Sequence, residues 1–141
     1  MLIDIKIWFY KFLELLKPLA QLKVTGDTQT NKRRVAVLIS GTGSNLQSLI
    51  DHTFDPQTSS KAEIAIVISN KEGVHGLERA KRAGIQTKVI SHVGLKREEY
   101  DQLLHEELVK NRIDYICLAG FMRILSEDFV KKWFGRLIVS N

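Results

Sequence analysis

A single cysteine, Cys117, among 141 residues excludes an internal disulfide framework and the small stapled domains that depend on one. That scarcity agrees with a reducing, cytoplasmic setting. Cys117 lies inside an apolar run, where an inert buried thiol is the expected reading rather than a nucleophile. Two prolines and nine glycines leave no low-complexity segment, and no internal repeat is present. Charges interrupt the apolar runs near the start of the chain, so neither a transmembrane helix nor a signal peptide is expected. The first arginine is Arg33, which argues against an arginine-rich transit peptide. His52, His75, His92 and His105 share no metal-ligand spacing on one helix face; no metal site is expected, and each reads as a surface or loop residue. The net charge of +5 is spread along the chain rather than gathered in a stripe, so it suits small anionic ligands and does not call for nucleic acid.

What is present is enough apolar residue, 44%, for one domain with a real core. Apolar runs alternate with helical patterns. The reading predicts strands near 34–39, 63–69, 86–90 and 114–118, a short fifth near 136–139, and helices near 45–52, 74–83, 96–111 and 126–134. Val35 to Ile39 and Ile64-Ala65-Ile66-Val67-Ile68 are nearly continuous apolar strands, as parallel strands covered on both faces require. Tyr100, Leu103, Leu104 and Leu108 form an i, i+3, i+4 stripe on the third helix. The expected fold class is α/β, a doubly wound, mostly parallel, Rossmann-like sheet with strand order 3-2-1-4.

The most informative stretch is Val35-Ala-Val-Leu-Ile-Ser-Gly-Thr-Gly-Ser-Asn-Leu46. A strand breaks at glycines and continues as a helix, aiming backbone N–H groups and the positive end of a helix dipole at one spot. Gly41 and Gly43 are expected to supply positive φ and close backbone approach, and Ser44 or Asn45 to cap the helix and bond a ligand. A phosphate is the natural occupant; a ligand-free turn is the alternative. The corner is not a Walker loop, because Asn45-Leu46 replaces Lys-Ser/Thr. Nor is it the dinucleotide fingerprint: Leu46 fills the third glycine position, and the next strand ends in Ser69-Asn70-Lys71, without an acid for a ribose.

A second segment, Leu118-Ala-Gly-Phe-Met-Arg-Ile-Leu125, is another strand breaking at a glycine into an apolar loop. Together with Ile39-Ser-Gly-Thr-Gly-Ser-Asn45 and Ser69-Asn70-Lys71, it resembles phosphoribosylglycinamide formyltransferase, or GAR transformylase, from about Arg34 to Ile138. The resemblance implies transfer of a formyl group from 10-formyltetrahydrofolate, as co-substrate, to the amine of glycinamide ribonucleotide in de novo purine biosynthesis. It implies that Gly43, Ser44 and Asn45 bind the ribonucleotide phosphate. Met122, Arg123, Ile124 and Leu125 match the stretch lining the folate site, where a flat pterin needs an apolar slot and edge hydrogen bonds. Arg97 matches an arginine that contacts the folate. By position alone, Arg97 is a solvated first-turn residue, and part of 122–125 is ordinary core.

The likeness breaks after Ile138. The family continues Asn-x-His-Pro-Ser, whose His handles the proton as the amine attacks and whose Asn bonds the formyl oxygen as charge develops there. A distant Asp perturbs the histidine. Here Val139 stands at the Asn position and Asn141 at the His position, and the Asp has no counterpart. Valine donates no hydrogen bond and an amide has no useful basicity, so no catalytic residue is expected within this chain and it is expected to be inactive alone. A non-catalytic phosphate-binding or interaction isoform is the alternative. Val-Ser can be encoded as GTGAGT or GTAAGT, the form of a splice donor. The expectation is an exon ending after Ile138, which codons for Asn-x-His-Pro opening a downstream exon would support.

Two expectations concern the ends. Residues 1–33 read as an amphipathic helix, with Ile5, Trp8, Phe9, Phe12, Leu13 and Leu16 on one side, then Pro18 and a polar linker; 34–141 read as the N-terminal part of a formyltransferase domain. Three sources of the first segment stay open: a remnant of an upstream domain of a multifunctional purine enzyme, foreign sequence from a misread gene structure, or a membrane-surface helix. At the other end, a strand at 114–118 lacking its family neighbours is expected to leave an apolar edge, with low solubility or association through that edge.

Overall fold

The computed structural model describes residues 32–140. The helix expected over the first residues, and all but the end of its linker, lie outside them. In chain order the elements are β1 (Arg33–Ile39), α1 (Ser44–Phe54), a 3-10 turn (Pro56–Thr58), β2 (Ala62–Ser69), α2 (His75–Arg82), β3 (Gln86–Val89), α3 (Arg97–Lys110), β4 (Tyr115–Ala119), α4 (Glu127–Lys132) and β5 (Leu137–Ser140). The strands form one sheet of order β3-β2-β1-β4-β5, and each described pairing is parallel. The expected 3-2-1-4 order holds. The expected apolar edge at β4 does not: β5 pairs along it from Ile116–Leu137 to Ala119–Ser140, so β5 is the outer strand among the described residues.

β1 runs through the middle of the sheet, and its residues Val35 to Ile39 are all buried, alternating between two cores. Val35, Val37 and Ile39 pack with Leu46, Leu49 and Ile50 of α1 and Leu77 and Ala80 of α2. Ala36 and Leu38 pack on the opposite face with Tyr100, Leu104 and Leu108 of α3 and with Phe129 and Trp133 at α4. Strand alternation thus sends successive side chains to opposite helix layers, which is why the run reads as continuously apolar. Burying each large aliphatic contributes about 1.5–3 kcal/mol. One member of the predicted stripe is corrected: Leu103 is 45% exposed, because the sheet covers only the Tyr100, Leu104 and Leu108 side of α3.

The crossover from β3 to β4 changes face. α1 and α2 cover one side of the sheet; α3 and α4 cover the other. The reversal falls between β1 and β4, whose C-terminal tips lie side by side, Leu38 opposite Leu118. Open α/β sheets bind ligands in the crevice at such a switch point. Both motifs singled out in the sequence begin there. The open clefts around Lys32, Phe54 and Lys61, and around Arg34, Glu63 and Gln86, lie at the other end of β1 and β2.

Candidate functional site

The glycine corner starts where β1 ends. Gly43 has φ 73° and is the N-cap of α1; the first helical bond runs from the Gln47 N–H to the Gly43 carbonyl, 2.8 Å. Helix geometry leaves the Ser44, Asn45 and Leu46 N–H groups without intrahelical acceptors, and no side chain caps them. Neither Ser44 nor Asn45 is the cap, contrary to expectation. The left-handed turn at Gly43 starts the helix one residue sooner, so Ser44 and Asn45 fall in its first turn. Of the two glycines, only Gly43 carries the predicted positive φ.

The opposite side of the corner is occupied by α2. The Gly76 N–H donates to the Gly41 carbonyl at 3.0 Å, and Arg79 Nε donates to the Thr42 carbonyl at 2.8 Å. The loop's acceptors are therefore turned back into the protein, while the α1 donors remain at the helix mouth. Contact is close enough to require two glycines: a Cβ on Gly43 would sit 2.6 Å from Gly76 Cα, and one on Gly76 would sit 2.4 Å from Ile39 Cδ1. Arg79 adds a half-buried positive charge behind the loop. Donors, a helix dipole and a nearby guanidinium are the components from which anion sites are built.

The second motif leaves β4 at Gly120, φ 71°, and crosses to α4. The loop is pinned at three places, two of them through its backbone. The Met122 N–H donates to Ser40 Oγ at 2.8 Å; the Arg123 guanidinium lies 4.4 Å over the Tyr100 ring; and the Ser126 N–H donates to Asp101 Oδ2 at 2.5 Å. Ser126 in turn caps α4 by accepting from the Phe129 N–H. Between these anchors, the side chains of Met122 and Ile124 are 79% and 72% exposed, while Phe121 and Leu125 pack against the second core. A fixed backbone presenting uncovered apolar side chains suits one wall of a slot for a flat ring. Within 122–125, Leu125 packs, whereas Met122 and Ile124 do not.

Arg97 is exposed in the first turn of α3 and makes no hydrogen bond or ion pair among the described residues. It lies one helical turn before Asp101, and so on the side of α3 that holds the loop. Tyr100 is fully buried, and burial pushes its phenol up to about 12, against the pull of the Arg123 charge. Burial likewise pushes the Cys117 thiol up to about 12, which fits an unreactive core residue. Val139 is exposed on β5, and Asn141 lies outside the described residues. Among the described residues, no group of three His, Cys, Asp or Glu could hold a metal ion, and no helix is long and apolar enough to cross a membrane.

Sequence reasoning missed the polar residues that connect these parts: Ser40, Asn70, Arg79, Tyr100 and Asp101. The available signal was Ser40 closing an apolar strand beside the glycines, and Asn70 doing the same after β2.

Comparison with known proteins gives a consistent result. The family described as Formyl transferase matches residues 33–140. A relative from Gallus gallus named trifunctional purine biosynthetic protein adenosine-3 is 53% identical over 116 residues, covering 82% of this chain and 11% of that protein. Phosphoribosylglycinamide formyltransferase of Escherichia coli K12 is 46% identical over 105 residues, covering 74% of this chain and 49% of the other. Among solved structures, phosphoribosylglycinamide formyltransferase from Coxiella burnetii, in complex with CHES, aligns with TM-score 0.71 and 38% identity over 77% of this chain and 50% of that one. The chain spans about half the length of the bacterial relatives and about a tenth of the trifunctional one.

Proposed function

The chain belongs to the formyl transferase family, and from that premise we propose that residues 34–141 are the N-terminal, nucleotide-binding part of a phosphoribosylglycinamide formyltransferase domain acting in the cytoplasm. The reaction moves a formyl group from 10-formyltetrahydrofolate to the amine of glycinamide ribonucleotide, a step of de novo purine biosynthesis. Gly43, Ser44 and Asn45 seat the ribonucleotide phosphate. Met122, Arg123, Ile124 and Leu125 form one wall of the folate slot, with Arg97 at its rim. The two ligands then meet between the tips of β1 and β4. One observation carries the reading: the uncapped mouth of α1 lies in the same crevice as an anchored loop with uncovered apolar side chains.

The groups for transfer are not assigned within this chain. On the resemblance, Val139 occupies the position of the amide that would stabilise the formyl oxygen, and its side chain has no donor. These 141 residues therefore bind both ligands and do not transfer between them. Calorimetry with ribose 5-phosphate tests the anion seat. Ser44→Asp, which puts a carboxylate at the helix mouth, is expected to weaken binding at least about tenfold while leaving the circular dichroism unchanged, since Ser44 is exposed. Equal affinity in both proteins would sink the assignment. Incubation of this chain with glycinamide ribonucleotide and 10-formyltetrahydrofolate is expected to give no formylated product; turnover at an ordinary enzymatic rate would place the catalytic groups within it.

A further inference from the structure

Ser40 is the last residue before the glycine corner, and its hydroxyl is shared between the two motifs. It accepts from the Met122 N–H at 2.8 Å and donates to Asn70 Oδ1 at 2.6 Å. Ser40 is 5% exposed and Asn70 3%, so water does not compete for either group. Asn70 follows β2, and its Nδ2 lies 3.4 Å from Nδ1 of His92. His92 meets the Tyr100 ring edge to face with centroids 6.4 Å apart, and Tyr100 carries Arg123 on its own face. The connections form a closed circuit. It leaves the apolar loop at Met122, crosses the tips of β1 and β2 and the segment after β3, and returns to the same loop at Arg123.

Such a circuit is costly unless it is needed. Two polar side chains, Ser40 and Asn70, are buried at strand tips, where apolar side chains would pack at no hydrogen-bonding cost. They leave the corner's own donors free and spend their bonds on the neighbouring loop. Ser40 also adjoins Gly41, whose carbonyl ties the corner to α2, so one residue links the backbone on both sides of the crevice. We propose that Ser40 and Asn70 are positioning residues that hold the Met122 amide, and with it the apolar wall of 122–125, at a fixed distance from the phosphate corner. Asn70 does this through Ser40, by accepting its hydroxyl proton so that a lone pair of Oγ faces Met122. The inference rests on the two-ligand reading of the crevice.

Two measurements on the full chain test it. The first needs no ligand: amide hydrogen exchange at Met122 is expected to be protected in the parent chain and accelerated about tenfold or more in Ser40→Ala, with β4 amides unchanged. A Met122 amide that exchanges as fast as an exposed loop amide in the parent, or that is indifferent to the substitution, overturns the proposal. The second compares ligands. In Ser40→Ala and in Asn70→Ala, tetrahydrofolate is expected to bind about tenfold more weakly, whereas ribose 5-phosphate changes by less than about twofold. Equal weakening of both ligands would make the two residues merely structural and overturn the proposal. Should the parent bind neither ligand while the Met122 amide behaves as expected, the two-ligand reading of the crevice fails and the wall-positioning role fails with it, leaving only the hydrogen bond.

Discussion

Gly76 is the residue on which the proposed anion seat leans most heavily. A methyl group there would lie 2.4 Å from Ile39 Cδ1, 3.0 Å from the Gly41 carbonyl oxygen and 3.3 Å from Gly43 Cα. Ile39 is fully buried and cannot swing aside, and the other two contacts are backbone. Gly76→Ala is therefore expected to push α2 off the corner at a cost of about 1–3 kcal/mol, typical of overpacking, and to weaken phosphate binding. Gly41 is the natural control. Its Cβ would meet nothing within 4 Å and its φ is not in the left-handed region, so Gly41→Ala is expected to change stability by less than about 0.5 kcal/mol. Urea unfolding of the two variants beside the parent decides it. Equal losses would mean that the corner has no preferred packing partner.

At the scale of elements, α3 and the end of α4 are joined by a bond that pH can break. Trp133 Nε1 donates to His105 Nδ1 at 3.1 Å, with the rings edge to face, and the Arg136 guanidinium lies over the same indole. Burial holds the His105 imidazole below its ordinary value, and the nearby Lys132 charge lowers it further; Glu106 opposes and Arg136 adds to the lowering. The folded protein thus binds this proton less readily than the unfolded chain, in which histidine titrates near about 6.5. The neutral-imidazole contribution is complete above that value. It is lost as pH falls from there toward the lower folded value, because the unfolded state takes up more protons. His105→Gln keeps an acceptor for the indole N–H and removes the titration. The drop in urea midpoint between pH 7.5 and pH 5 is expected to be smaller in this variant than in the parent. Equal drops would mean that another group carries the acid sensitivity.

For the whole molecule, the parts legible in sequence were those in which neighbours along the chain decide the structure. β1 and β2 announce themselves because burial on both faces makes Val35 to Ile39 and Ile66 to Ile68 apolar without a break. The corner announces itself because a left-handed turn against another backbone admits only glycine at 43. What was hidden depends on residues distant in sequence. Ser40 and Met122 are 82 positions apart, and nothing local to either names the other. Tyr100 passes for one more core residue of a helical stripe, although its ring also carries a charge; Leu103 passes for core because the stripe is wider than the sheet surface it meets. The same sheet organises stability. β1 supplies both cores, so the α1–α2 layer and the α3–α4 layer cannot separate without exposing alternate residues of one strand. Leu46→Ala in the first layer and Leu104→Ala in the second, both fully buried, are each expected to cost about 2–5 kcal/mol. Each should shift a single urea transition in far-ultraviolet circular dichroism, leaving its slope unchanged. A second transition in either variant, with one layer melting while the other persists, would mean that the layers fold as separate units and that the crevice between β1 and β4 can open without unfolding the protein.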